Sequence, residues 1–340
     1  MLYPAAELPQ PDSPDSQAIR NAMAPDIRSG RSHFSLPMKG YSMKQSLKPI
    51  SLALALGLTA SLSAHAATSS SVAVAPQYDT SHVYVAPGEV DAFVKSFLAT
   101  FGGKSTAQVV VNVLPVPSST TSQLLQTPVG TVSLFGFTTP VPYPFGAERN
   151  GYLVKDLDKA LAEAKKNGAD VIVHDFPDPI GRDAVVQWPG GVNMQLYWHT
   201  KTPDYAAFQT VPENRVYLSE QRADAFIKGF VGFSHGKVIA DEKRLDGAVV
   251  GEPGKPIRRV KLESDFGKMV VFVTDGHLPY PYGRETTGYE VSDLAATVAK
   301  AESSGARLVV EPKAEPGRQS AIVEFPGGYV AEIHQPVAAK

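Results

Sequence analysis

The sequence predicts an α+β protein made of four strand–helix–strand–strand–strand modules, paired into two tandem domains. Three observations carry this. The chain repeats itself at a long period, each repeat divides into two halves of one pattern, and glycine- and proline-rich turns close the halves. Val141-Pro-Tyr-Pro-Phe-Gly146 and Gly151-Tyr152 return as Leu278-Pro-Tyr-Pro-Tyr-Gly283 and Gly288-Tyr289, a constant offset of 137 residues. Trp188-Pro-Gly-Gly191 returns as Phe325-Pro-Gly-Gly328 at the same offset. Upstream, Val90-Asp-Ala-Phe-Val-Lys-Ser-Phe97 returns as Ala223-Asp-Ala-Phe-Ile-Lys-Gly-Phe230 at offset 133, so the second copy carries four extra residues between the two blocks. Solenoid repeats have periods of roughly 20–50 residues, so the duplicated unit here is a domain. Each copy is a control on the other: a residue kept in both is structural, and one that differs is free to be functional.

The elements follow in order. Residues 1–42 hold Pro, Ser, Asp and Arg with little apolar periodicity, and are read as an extension ahead of the true start. From Met43 the chain carries Lys44 and Lys48, an apolar run from Ile50 to Leu62, and Ala64-His65-Ala66 before Ala67. That is the charge, apolar run and cleavage site of a secretory signal peptide over 43–66. The run is shorter than the about 20 residues of a membrane-spanning helix. Residues 67–80, rich in Ser, Thr and Ala, are expected to be a flexible tether. Domain 1 is then 81–205 and domain 2 is 206–336, in a periplasmic or secreted protein.

In the first module His82–Val85 is a strand signal, and Val90, Phe93, Val94, Phe97 and Leu98 have helical spacing. Gly102-Gly103 stops that helix. Val109–Val116, Ser122–Gln126 and Val129–Phe137 read as three strands. In the second, Gly151–Val154 is a strand, and Leu157, Leu161 and Ala164 mark a helix face closed by Gly168. Val171–Val173, Asp183–Gln187 and Asn193–Trp198 follow as strands, the last two joined by a Pro-Gly-Gly turn. The second repeat supplies helices at Ala223–Phe233 and Leu294–Ser303.

The chain of 340 residues has 32 basic and 34 acidic side chains. The leader holds six of the basic and four of the acidic ones, leaving 26 and 30 and a net charge of −4. A near-neutral mixed surface offers no footprint for nucleic acid or an anionic membrane. The absence of Cys removes disulfides, thiolate metal sites, Cys nucleophiles and a lipid-modified Cys anchor. A hydrophobic content of 43% suffices for two separate domain cores.

Val154-Lys-Asp-Leu-Asp158, an Ala-rich helix, Asn167-Gly-Ala-Asp-Val171, Gly181-Arg182, Pro189-Gly-Gly191 and Met194-Gln-Leu-Tyr197 together resemble the vicinal oxygen chelate superfamily. That group includes glyoxalase I, extradiol dioxygenases, and the fosfomycin and bleomycin resistance proteins. Val291-Ser-Asp-Leu294, Ser304-Gly-Ala306, Gly317-Arg318 and Phe325-Pro-Gly-Gly328 match equally well, so the resemblance spans residues 80–336. It implies two tandem glyoxalase-like domains, each a cupped, antiparallel-rich sheet. It also implies a divalent ion (Zn, Fe, Mn or Ni) held by His, Glu or Gln on the first and last strands of the modules, acting as a Lewis acid.

Carried over position by position, those ligands fall on His82 and Gln195 in domain 1, but also on Arg149, which binds no cation. In domain 2 they fall on Arg215, Thr286 and Glu332. Residues two apart on a strand share a face, so His334 joins Glu332, while Tyr197 and His199 join Gln195. Neither domain keeps three ligands at the family positions. Arg149 and Arg215 suit an anionic group held by a guanidinium fork. Tyr197, with Tyr143 and Tyr280 of the doubled Pro-Tyr-Pro segment, suits stacking on a planar ligand; a rigid strap is the other reading of that segment. Gly232-Phe-Ser-His-Gly236 matches a nucleophile elbow, but a helix precedes it where a strand is required. Two functional readings stay open, beside a third in which the chain is a structural duplicate that merely pairs with a partner. One is a metal-free small-molecule binder of the bleomycin-resistance type, with arginine anchors and aromatic walls. The other is a metal-dependent lyase, isomerase or dioxygenase using Glu332 and His334, or His82 and Gln195. A small-molecule ligand is the expected partner, with no nucleic acid and no membrane anchor; a homodimer stays open.

Overall fold

The computed structural model describes residues 71–113, 116–178 and 180–337, all within one compact unit, His65–Lys340. The extension at 1–42 and the signal peptide at 43–66 lie outside the described residues. Among the described residues, no helix is long and apolar enough to cross a membrane.

The first module runs β1 (Thr80–Val85), α1 (Val90–Phe101), β2 (Lys104–Ser105), β3 (Val109–Val113), β4 (Ser118–Thr127) and β5 (Gly130–Phe137). The second is β6 (Glu148–Leu153), α2 (Leu157–Lys166), β7 (Asp170–Asp178), β8 (Gly181–Trp188) and β9 (Val192–His199). The third is β10 (Glu213–Leu218), α3 (Glu220–Ser234), β11 (Lys237–Asp246), β12 (Pro256–Ser264) and β13 (Gly267–Val273). The fourth is β14 (Thr286–Glu290), α4 (Leu294–Ser303), β15 (Arg307–Glu315), β16 (Arg318–Phe325) and β17 (Tyr329–Pro336). The architecture is α+β, two tandem glyoxalase-like domains. Sheet order is β2-β4-β5-β1-β6-β9-β8-β7 in the first, with β3 on β4, and β11-β12-β13-β10-β14-β17-β16-β15 in the second.

Local chemistry explains the elements. Asp156 and Asp293 cap α2 and α4, accepting from the amides of Lys159 and Ala296 at 3.0 and 2.9 Å. Gly102 ends α1 at φ 76°, a conformation open mainly to glycine. β4 begins at Ser118, four residues before the predicted start, because Ser118–Gln123 has no apolar alternation to reveal it; Thr120 and Ser122 line the cup. Ser234 of the elbow-like motif is buried and donates to the Phe230 carbonyl at 2.7 Å, so it is no nucleophile.

Two expectations change. The segment read as a tether is packed at its described end: Ala73 is fully buried, bridges Val154, and joins the core around α2. The cores are also not one per domain. One contains Tyr152, Leu157, Trp188 and Leu196 of the second module together with Val216, Phe226, Phe230 and Val271 of the third. The other joins Val83, Phe93, Phe97 and Leu134 of the first module to Tyr289, Leu294, Phe325 and Ile333 of the fourth. Helices α2 and α3 pack together in the former and α1 and α4 in the latter. The strands show why. Val83 and Val85 of β1, and Met194 and Leu196 of β9, point into these shared cores. Thr80, His82, Gln195 and Tyr197, alternating with them, point to the opposite face. Each sheet thus has one apolar face on the shared cores and one concave face of its own.

Candidate functional site: one hollow cup and one filled cup

The doubled Gly-Tyr dipeptide forms the floor of each cup. Tyr152 and Tyr289 are buried in the shared cores, so Gly151 and Gly288 face the cups. A Cβ on Gly151 would lie 2.6 Å from His82 Nε2 and 2.8 Å from the Tyr197 ring; one on Gly288 would lie 2.6 Å from Glu332 Oε2. Glycine lets the functional side chains close over the central strand.

In domain 1 the cup is hollow. A cavity of about 600 Å³ is walled by Tyr78, Phe135, Phe145, Phe176, Tyr197 and Tyr205, with His82, Asp178, Asp183, Gln195 and His199 as its ionisable and amide groups. A smaller one of about 200 Å³, lined by Tyr143, Glu148 and His174, adjoins it and shares Gln195, Phe145 and Phe176. His82 Nδ1 lies 3.4 Å from Glu148 Oε1, the carboxylate to which the Tyr84 hydroxyl also donates. Gln195 Nε2 donates to Asp183 Oδ2 at 2.8 Å, and the Tyr197 hydroxyl donates to the Tyr78 carbonyl. Asp183 Oδ1, Glu148 Oε2 and His199 Nδ1 are buried without a hydrogen-bond partner. Burial, and then the charge of Asp178, push the Asp183 carboxyl up to about 8 against its bond from Gln195. Burial raises Asp178 and lowers His199.

In domain 2 the equivalent positions carry long charged residues, four of the five in ion pairs. By strand register, Thr80, His82, Ser122, Leu124 and Gln195 correspond to Glu213, Arg215, Arg259, Lys261 and Glu332. Arg318 grips both oxygens of Glu213 at 2.7 and 2.8 Å. Arg215 Nη1 lies 2.9 Å from Glu332 Oε1, and its guanidinium sits over the Phe272 ring, 4.9 Å from the centroid. His334 Nδ1 is 2.7 Å from Glu332 Oε2. Arg259 is bonded twice to Glu242, at 2.6 and 2.9 Å. Burial opposes these charges, yet Arg318 holds Glu213 down to about 2 and Arg215 holds Glu332 low. Burial also opposes His334, which Glu332 and Glu290 nevertheless hold above its ordinary range. The longer loop of the second copy adds an apolar stopper. The turn Gly247–Val250 places Val249 and Val250 against Val270 and Phe272, with Tyr282 of the doubled segment packed on them.

The candidate residues from the sequence are therefore divided. His82, Gln195 and Tyr197 meet in the hollow cup, while Arg215, Glu332 and His334 meet in the filled one. Arg149 is exposed, 5.7 Å from the Tyr84 ring centroid, and does not line the large cavity. The neighbouring Glu148 goes inward instead. A one-residue bulge between Glu148 and Gly151 shifts the alternation of β6. Tyr143 is exposed at the small cavity, and Tyr280 is exposed on the surface, bonded to Glu324. Sequence reasoning missed Glu148 and Asp183. The signal for Asp183 was an acid opposite Tyr197 in an apolar hairpin, with Ser320 at the same place in the second copy.

A titration tests the state of Asp183. Its folded pKa lies above the ordinary 3.8, so between about pH 4 and 8 the folded state binds more protons than the unfolded, and stability falls as pH rises through that window. Asp183→Asn keeps the shape and the acceptor for Gln195. It should leave Tm nearly unchanged at about pH 4 and raise stability by a few kcal/mol at about pH 8.5. An equal shift at both pH values would show that Asp183 does not carry the effect.

Among the described residues, Glu213, Glu332 and His334 form the group able to hold a metal ion, with ligand atoms within 4.8 Å of one another, so a divalent ion is plausible there. The fit is poor on charge grounds: both Glu213 oxygens are on Arg318, and Glu332 lies between Arg215 and His334. An ion would have to displace two guanidinium groups.

No protein-family model matches the chain, and no curated protein sequence matches it. Solved structures do. A mutant of 4-hydroxymandelate synthase from Streptomyces coelicolor superposes with a TM-score of 0.56 at 13% identity, over 80% of this chain and 94% of that one. A Mn(II)-bound glyoxalase from Novosphingobium aromaticivorans matches at TM-score 0.46 and 14% identity, over 78% and 83% of the two chains. The 2,3-dioxygenase LapB from Pseudomonas sp. KL28 matches at 0.48 and 10%, over 79% and 94%. At such identities the likeness, carried by the 4-hydroxymandelate synthase mutant over 80% of this chain, is one of fold. The chain has a four-module fold of two tandem glyoxalase-like domains, shared in outline with the 4-hydroxymandelate synthase mutant.

Proposed function

We propose that this is an exported protein that binds a small organic molecule in the cup of domain 1, without the divalent ion usual to its fold. The contrast between the two cups carries the proposal. At matched strand positions domain 1 has Thr80, Ser122 and Leu124 around a cavity of about 600 Å³, a size usual for drug-like ligands. Domain 2 has Glu213 and Arg259 there, each in an ion pair, and the half-buried Lys261. The arginines expected to anchor an anion do not serve the hollow cup, since Arg149 faces solvent and Arg215 is committed to Glu332. Aromatic walls and unpartnered polar atoms are its recognition groups. Export rests on the 43–66 leader.

The second reading, a metal-dependent lyase, isomerase or dioxygenase, is favoured by the Glu213, Glu332 and His334 cluster. Were an ion bound there, it would supply Lewis-acid polarisation of a substrate oxygen. Arg215 would have to leave Glu332 first. One preparation tests both parts. The protein is expressed with its leader, purified without a His tag, and incubated with Mn, Fe, Ni or Zn before dialysis. Elemental analysis should find no bound metal, and intact mass should place the N-terminus at Ala67. Near one equivalent of metal, lost in Glu332→Ala, would make the enzyme reading the better one. An intact leader in the recovered protein would remove the export reading.

A further inference from the structure

We propose that the cup of domain 1 selects a ligand with a flat apolar body and a basic nitrogen, an amine or a protonatable heterocycle, which Asp183 anchors. This rests on the reading of that cup as a ligand pocket and names its ligand class.

The charge of the lining carries the inference. The large cavity has two carboxyl groups, Asp178 and Asp183, in its wall, and no lysine or arginine among its lining residues. Arg182, adjacent to Asp183 in the chain, turns the other way, since side chains alternate along β8. Its guanidinium is bonded to Asp158 and Asp175, at 3.2 and 2.9 Å. The two imidazoles are not paired with Asp183. His82 is directed to Glu148, and burial lowers His199.

Asp183 itself is built into the wall. It is 9% exposed, and Gln195 occupies Oδ2 and thereby orients the carboxyl group. Oδ1 is buried without a partner. A buried polar atom left unpaired is destabilising, and a ligand donor would satisfy it. A basic nitrogen suits this atom in either protonation state. A protonated carboxyl passes its proton to a neutral amine, and an ionised one meets the ammonium directly; both give the same charge-assisted pair. An anionic ligand would have to sit beside two carboxyl groups with no positive partner. The six aromatic rings of the wall supply the apolar body with stacking faces, and their π-faces are tolerant of cations. The repeat singles out the same residues. Asp183 is replaced by Ser320 and His199 by Pro336 in domain 2, whereas the floor glycine is common to both cups.

The full chain is titrated by calorimetry with three fragments of one shape: naphthylmethylamine, naphthylmethanol and naphthoate. The amine should bind about tenfold tighter than the alcohol, the equivalent of one charge-assisted hydrogen bond, and naphthoate should bind weakest. Asp183→Asn should abolish the preference for the amine over the alcohol. Leu124→Trp, which fills the cup, should abolish binding of all three. The inference is overturned if the alcohol or naphthoate binds as tightly as the amine, if Asp183→Asn keeps the preference, or if Leu124→Trp leaves it intact. If none of the three binds, the reading of the cup as a pocket falls, and the ligand class with it.

Discussion

Expressed alone, residues 67–205 should fail to fold. That segment contains the whole first sheet, but its apolar face is completed by the second domain. Val83, Phe93, Phe97, Leu134, Tyr152, Leu157, Trp188, Met194 and Leu196 are each at most 1% exposed. Their partners include domain 2 residues: Trp188 lies 5.4–6.5 Å from the rings of Phe226, Phe230 and Phe233, and Phe97 lies 5.2 and 5.6 Å from Phe325 and Tyr289. Fully burying such a side chain is worth about 1.5–3 kcal/mol. Losing half of that burial over these residues costs on the order of 10 kcal/mol, as much as the net stability of a typical domain. The isolated segment should lack near-UV circular dichroism and a cooperative melt, and co-expression with residues 206–340 should restore both. A cooperative melt of the segment by itself would show that α1 and α2 are enough to close its sheet.

The second large effect should come from the filled cup. Arg215→Met leaves Glu332 buried with His334 at 2.7 Å and the more distant Arg318 at 3.7 Å, and Glu332→Met strands Arg215. Each should lower stability by about 3–5 kcal/mol, the usual effect of breaking a buried ion pair from one side. The double variant should cost clearly less than the two single changes together, because neither charge is then left alone. Urea unfolding of the four proteins measures this, and simple additivity would mean that the two groups are not coupled. The network should also have a pH window. Glu213 is depressed to about 2, so its stabilisation is present above about pH 4.5 and lost as pH falls towards 2. His334 is raised above 6.5, so its share is present below that value and lost as pH rises through the folded pKa. The stabilisation from these two groups should therefore be greatest near pH 5–6.5.

The filled cup also bears on how a duplicated fold divides its work. One copy keeps small side chains around a cavity, while the other fills the same volume with paired charges and a four-residue insertion. Filling a concave sheet with charge demands that every group be matched. Arg215, Arg259 and Arg318 each have a carboxylate partner.

Much of this was legible in the residues alone. The repeat gave four modules because strand–helix–strand signals are local: helical spacing in Val90–Phe101, capping aspartates before α2 and α4, and Pro-Gly-Gly turns that only a hairpin uses twice. Period-2 alternation likewise put Gln195 with Tyr197, and Glu332 with His334, on one face of each last strand. Three things were settled only by tertiary structure. The direction in which Glu148 and Arg149 point depends on a bulge in β6, which has no local signature. The sharing of cores between modules depends on which apolar faces meet, and equal hydrophobicity cannot say which. The contrast of the cups depends on Ser122, Arg259, Asp183 and Arg318, which lie on different strands, far apart in sequence. Local pattern determines which way a side chain faces along its own strand; whether it faces a partner, a cavity or water is decided by the other strands brought against it.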